Sequence, residues 1–185
     1  MTAQVPDSLI YNSVSYSIVG LKGEGLPSPL DFNLMPVSPS TANWRGFIMT
    51  YTILERHLLL HEMQVTVEDT KGKHPVINEV NPEIKKDGRI RLTYKNLKLH
   101  TKFTGEILIA KDFIGSMYVH MGFQSPLSFE TVIEVKFEEG VLIKLRNISN
   151  KMNNLRKNDI SDGKLKSTAD PQTWIARTFS LDYDF

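Results

Sequence analysis

The chain predicts an all-β fold: a single-domain antiparallel barrel or two-layer sandwich with little helix. Three observations carry this. Strand-length runs of alternating apolar and polar residues recur between residues 9 and 147. No segment keeps a 3.6-residue apolar repeat beyond two turns. The 185 residues, 41% of them hydrophobic, suffice for one core but not for two full domains. On this basis residues 1–8 read as a flexible tail, 9–150 as the β domain and 151–170 as a polar linker. Residues 171–185 read as a C-terminal segment that docks on the body or on a neighbouring subunit.

Composition narrows the function classes. The formal net charge is +1, so no global field recruits nucleic acid or a membrane surface. There is no cysteine, which excludes disulfides, thiolate metal sites and a cysteine nucleophile. The first eight residues lack a basic stretch followed by an apolar run, and no apolar segment approaches the roughly 18 residues of a membrane helix. The expected compartment is the cytoplasm.

Taken in order, residues 9–21 supply one or two strands, with Tyr16, Ile18 and Gly20 alternating against Ser15, Ser17 and Val19 and a turn at Asn12-Ser13. Residues 23–39 carry Pro27, Pro29, Pro36 and Pro39, which forbid a long helix or central strand. They form an irregular connection that lays Leu30, Phe32 and Leu34 on the core. Residues 46–54 are a strand, with 58–67 its hairpin partner. Lacking Asn-Gly or Asp-Gly, the turn near Glu55-Arg56 reads as a longer loop. Pairing Leu54 with His57 would set Thr50 opposite His61 and Ile48 opposite Met63. Residues 68–98 are hardest to read, but Asp87-Gly88 marks a turn, and Ile90, Leu92 and Tyr94 share a face.

Residues 103–147 form the organising centre, read as four strand-like runs: 103–110, 117–123, 127–137 and 141–147. In the third, Leu127, Phe129, Thr131, Ile133, Val135 and Phe137 make an apolar face, while Ser128, Glu130, Val132, Glu134 and Lys136 face the other way. Glu138-Glu139-Gly140 reads as a hairpin loop. The fourth run puts Val141, Ile143 and Leu145 on one face and Leu142, Lys144 and Arg146 on the other. Residues 151–170 are polar, with a helical turn around 152–156. Residues 173–185 carry Trp174, Ile175, Phe179, Leu181, Tyr183 and Phe185, too apolar to remain in water. Docking on the body and a swapped arm on a neighbouring subunit are the two readings.

Trp44-Arg45-Gly46-Phe47, Thr104-Gly105-Glu106-Ile107, Tyr118-Val119-His120-Met121-Gly122-Phe123, Ser125 and Phe129-Glu130 together resemble a family of uncharacterised bacterial proteins. The resemblance covers roughly residues 40–147, and the Tyr-Val-His-Met-Gly segment is its most specific part. The chain departs from the family pattern at Thr101-Lys102, where the family tends to carry Asp-Trp. The family has no assigned activity, so the resemblance implies membership and no function.

Several constellations could carry chemistry. With four consecutive hairpin strands, loop lengths would align Glu106, His120 and Glu130 across three strands, neighbouring Cβ atoms about 5 Å apart, with Tyr118 beside them. A histidine between carboxylates could shuttle protons or hold a metal. The competing reading is a charge-complementary wet face, extended by Glu134 opposite Lys144, and a one-residue slip would abolish the row. Trp44 and Arg45 could bind an anion or stack a planar ligand, or simply cap the core and pair with a carboxylate. His57 and His61 would lie about 13 Å apart on a strand, too far to share a metal. Residues 71–102 hold nine basic and three acidic residues but one aromatic, Tyr94. That is too few rings for single-stranded nucleic acid, and a solvated loop competes with an anion-binding surface. Phosphate-loop, GxGxxG, HExxH and Gly-x-Ser-x-Gly motifs are absent, and nothing identifies a cofactor.

Three functions follow as expectations. The first is a non-enzymatic binding or interaction module for a small molecule or protein, without nucleic acid or membrane. The second is a small-molecule or metal-dependent enzyme using Glu106, His120 and Glu130. The third is a homo-oligomer held by the C-terminal segment.

Overall fold

A computed structural model of the chain describes residues 2–68, 74–161 and 181. Strands β1 (Ser8–Tyr11) and β2 (Val14–Glu24) are joined by Asn12-Ser13, both at positive φ. That left-handed geometry twists a two-residue turn the way the strands twist. A 3-10 turn at Pro29–Phe32 follows. Then come β3 (Phe47–Leu54), β4 (His57–Val67), β5 (Glu83–Asp87), β6 (Arg89–Tyr94), β7 (Leu99–His100), β8 (Thr104–Phe113), β9 (Phe129–Glu138), β10 (Val141–Asn147) and helix α1 (Ser149–Ser161).

The strands form one sheet in the order β10-β9-β8-β2-β1-β3-β4-β6-β5, and β7 also pairs with β4. Val141 of β10 pairs with His57 of β4, which closes β1, β2, β8, β9, β10, β4 and β3 into a ring. The fold is therefore an all-β barrel. Neighbours are antiparallel except β1 and β3, which run parallel with Leu9 opposite Tyr51. The far edge of β4 is shared in turn by β10, β7 and β6, so no long stretch of it lacks backbone partners.

The closing seam is made by turns. The Leu58 amide donates to the Gly140 carbonyl at 2.8 Å, the Leu142 amide to Arg56 at 2.7 Å, and the Gly140 amide to Phe103 at 2.8 Å. A side chain at Gly140 would overlap the Thr101 backbone, and φ there is +77°. Only glycine fits this approach.

Two apolar clusters form. Tyr51, Tyr94, Phe103 and Phe137 are the largest side chains of the interior cluster, joined by Leu9, Met49, Leu58, Leu60, Met63, Leu92, Ile107, Ile109 and Val135. The second cluster lies against α1: Val19, Leu108, Ala110, Phe129, Val132, Ile148 and Met152. The unbroken apolar run of β8 is thus explained. Ile107 and Ile109 belong to the interior cluster, while Leu108 and Ala110 belong to the one against the helix. No helix among the described residues is long and apolar enough to cross a membrane.

Several expectations are corrected. Residues 1–8 do not make a loose tail along their described length: Gln4 and Asp7 are buried and hydrogen-bonded, and Ser8 opens β1. The Glu55-Arg56 turn is a tight two-residue one with both residues at positive φ. Leu54 does oppose His57, but a bulge after Leu60 sets Thr50 opposite Glu62 and Ile48 opposite Gln64. Leu30 is exposed, whereas Leu34 is buried and Phe32 packs on the core.

Residues 117–123 are no strand. They lie in the long β8–β9 connection, so the central stretch holds three strands. In β10 a bulge around Ile143 interrupts the expected alternation: Leu142 packs on the core, while Ile143 and Leu145 are exposed. Leu127 and Phe129 belong to the cluster under α1 rather than the interior. The expected linker begins as a helix of 13 residues. The C-terminal segment, 171–185, lies outside the described residues except for Leu181. Its carbonyl accepts the Leu21 amide at 2.7 Å, and its side chain packs on the interior cluster.

Candidate functional site

The Glu106–His120–Glu130 row does not form. β8 pairs directly with β9, so Glu106 lies opposite Lys136, with a carboxylate-ammonium distance of 3.6 Å. Glu130 is six residues further along β9, about 20 Å away at the rise of a strand. His120 sits in the β8–β9 connection, exposed. The expected Glu134–Lys144 pair is replaced by Glu134 with Arg146 at 2.9 Å, because the two-residue Glu139-Gly140 turn and the β10 bulge each shift the register by one residue. Among the described residues no group of three His, Asp or Glu side chains is positioned to hold a metal ion. His57 instead meets His100 edge to face, at 5.3 Å between rings.

Arg45 is committed to structure. Its guanidinium takes both oxygens of Asp7, at 2.8 and 2.9 Å, and lies over the rings of Phe47 and Phe123 at 4.8 and 5.3 Å. Trp44 is half-exposed, and its amide donates to the Gln4 side chain at 3.0 Å. Gln4 also donates to the Thr41 carbonyl, so the N-terminal segment is tied to residues 41–49. The anion-binding reading of Arg45 is thus displaced by an internal carboxylate.

A pocket of about 390 Å³ opens where the β8–β9 connection leaves the sheet. It is lined by residues 3–6, by Ser17, Ile18 and Val19 of β2, and by Phe113, Tyr118, Phe123, Gln124 and Phe129. Its roof is braced from within. Gln124 makes two bonds to the backbone of Val119, accepting at 3.0 Å and donating at 2.8 Å. The Gln4 amide donates to the Gly122 carbonyl at 2.8 Å, and the Ile114 amide to Ser128 at 2.8 Å. The rings stack edge to face in a chain from the sheet to the surface: Phe129 to Phe113 at 5.3 Å, Phe113 to Tyr118 at 6.3 Å, Tyr118 to His120 at 5.0 Å. Tyr118 remains 45% exposed and Phe113 41%, so the outer end of the chain of rings is open to solvent, while Phe129 is buried in the cluster against α1.

Among the described residues the lining contains no charged residue and no histidine. The side-chain amides of Gln4 and Gln124 are engaged by backbone groups, which leaves the hydroxyls of Ser17 and Tyr118 as the polar handles. Such a site suits an uncharged, largely apolar molecule with one or two hydrogen-bonding groups. Sequence reasoning singled out Tyr118 and His120 but missed Phe113, Phe123 and Phe129 as a cluster. Their spacing matches strand alternation, and the loop that gathers them leaves no periodic signature. Beside the pocket, the Thr131 hydroxyl donates to Asp112 at 2.6 Å, which holds that carboxyl below its usual range.

No family model, curated protein or solved structure matches the chain. The functional reading therefore stands on this geometry.

Proposed function

We propose that the protein is a binding module that takes a small, uncharged, aromatic or aliphatic molecule in the pocket beneath residues 118–124. One observation carries the reading: four aromatic rings, Phe113, Tyr118, Phe123 and Phe129, converge on one concavity of about 390 Å³. That volume falls in the range of small-molecule sites, and the brace at Gln124 pre-organises it, which lowers the entropic cost of binding. The cytoplasm is the compartment we propose, on the absence of cysteine.

The test is titration with the uncharged fluorophore N-phenylnaphthylamine. Saturable enhancement is expected in the native protein, weakened about tenfold or more by Phe113→Ala or Tyr118→Ala. Linear enhancement, or equal affinity in both variants, would overturn the reading.

For residues 171–185 we propose docking on the same chain, supported by the Leu21–Leu181 backbone bond. Truncation after residue 170 should lower Tm and leave the oligomeric state unchanged. A drop in assembly state would favour the swapped arm.

A further inference from the structure

A second site lies on the outer face of the β5–β6 hairpin, remote in chemistry from the aromatic pocket. Register sets Lys85 of β5 directly opposite Arg91 of β6, and Arg91 directly opposite Thr66 of β4. Cross-strand partners in an antiparallel pair bring their Cβ atoms to about 5 Å, and like charges placed so destabilise the sheet. The other directly opposed like-charged pair among the described residues, Lys136 and Lys144, has Glu106 beside it. Among the described residues neither the Lys85 nor the Arg91 side chain has a hydrogen-bond or ion-pair partner. The Thr66 hydroxyl has none either, and since no buried side-chain oxygen lacks a partner, it is open to the concavity.

These three residues, with Pro39, Asp87 and Arg89, line a concavity of about 220 Å³. Arg89 is anchored by a bond to the Ser38 carbonyl and adds a third positive charge. Among the described residues of the lining Asp87 is the one carboxylate, which gives those residues an excess of two positive charges. Glu83, the next same-face residue on β5, is occupied by Lys95 at 2.9 Å. A second hollow of about 280 Å³ shares Pro39, Thr66 and Arg91 and continues past Val5, Ile48 and Gln64.

We propose that this row is a binding site for a phosphate monoester. The phosphate oxygens sit between the Arg91 guanidinium and the Lys85 ammonium. Arg91 offers a planar pair of donors, Lys85 a point charge, and the Thr66 hydroxyl a further donor. The organic group of the ester lies in the adjoining hollow, against Ile48. Binding would also relieve the Lys85–Arg91 repulsion, which gives the anion a preference for this row over scattered surface lysines.

The experiment is calorimetric titration of the full chain with phenyl phosphate and with inorganic phosphate, ionic strength held constant with sodium chloride. Saturable binding is expected, with phenyl phosphate at least about fivefold tighter. The exposed substitutions Lys85→Gln and Arg91→Gln should each weaken it about tenfold, and Asp87→Asn should tighten it. Without ligand, Lys85→Gln should raise Tm by about 1–3 °C at low salt, since it removes the repulsion. Phenyl phosphate should not displace N-phenylnaphthylamine, which separates this site from the aromatic pocket. No saturable binding, equal affinity in the Lys85→Gln/Arg91→Gln double variant, or no preference for the phenyl ester would each overturn the proposal.

Discussion

The Arg45 guanidinium grips the Asp7 carboxylate through both terminal nitrogens, at 2.8 and 2.9 Å, while the same carboxylate accepts the Met49 amide at 2.8 Å. This joins the N-terminal segment to β3, and the stacking of Arg45 on Phe123 carries the tie on to the roof of the pocket. The side chains are 12% and 27% exposed, so the pair is largely desolvated.

Asp7→Ala leaves a cation without its partner and an amide without its acceptor. We expect a loss of about 2–4 kcal/mol and a fall in Tm of about 5–12 °C. Thermal denaturation followed by circular dichroism checks this. A Tm within about 2 °C of the native protein would show that the pair does not hold the segment.

The alkaline limb of the stability curve should be set in part by two tyrosines. Burial pushes the Tyr94 hydroxyl up to about 12, and burial with the Asp7 carboxylate nearby raises Tyr51 as well. A phenol raised above its unfolded value near 10 contributes stability that is intact below pH 10 and is lost as pH climbs toward 12. Phenolate absorbance of the folded protein should therefore lag behind that of the unfolded chain. Tyr94→Phe, which removes the bond to the Pro75 carbonyl at 2.9 Å, should flatten the decline of Tm between pH 10 and 12. An unchanged slope would remove Tyr94 from the account.

Gly140→Ala tests the barrel seam. The substitution forces a side chain onto the Thr101 backbone at φ +77°. A loss of about 2–4 kcal/mol is expected from strain and displaced seam bonds, read as a lower urea midpoint. A midpoint equal to the native one would mean that the two turns do not lock the ring.

Helix α1 is held by two kinds of contact. Met152 is fully buried, and Arg156 donates to the carbonyls of Leu127 and Phe129 at 2.9 and 2.8 Å. Met152→Ala should cost about 2–4 kcal/mol, and Arg156→Met about 1.5–3 kcal/mol. Hydrogen exchange should show residues 149–157 losing protection first in both variants. Uniform loss across the barrel would place the helix in the cooperative core instead.

How far these features were legible follows from their physics. The inward faces of β6 and β9 were readable because a two-residue period survives any tertiary arrangement. Ile90, Leu92 and Tyr94, and Ile133, Val135 and Phe137, are all buried as alternation requires. The Glu139-Gly140 turn was readable because positive φ selects its residues. Helix α1 was legible only as a turn around 152–156: Ile148, Met152 and Leu155 make too narrow a stripe in a polar run to show its full length, and contacts to β9 and the turn before it supply the rest. The polar row failed at one step. Residues 117–123 alternate like a strand, yet the chain leaves the sheet at Phe113 and re-enters at Phe129, opposite it.

By itself, then, the sequence determined the class of fold and which side of most strands faces inward, since both depend on local period and turn chemistry. Tertiary structure alone decided the closure of the ring and the bulges that re-aimed β4 and β10. It also gathered Phe113, Tyr118, Phe123 and Phe129 into one pocket and set Lys85 opposite Arg91. Register and loop path are properties of pairing between distant segments, and no single stretch of the chain encodes them.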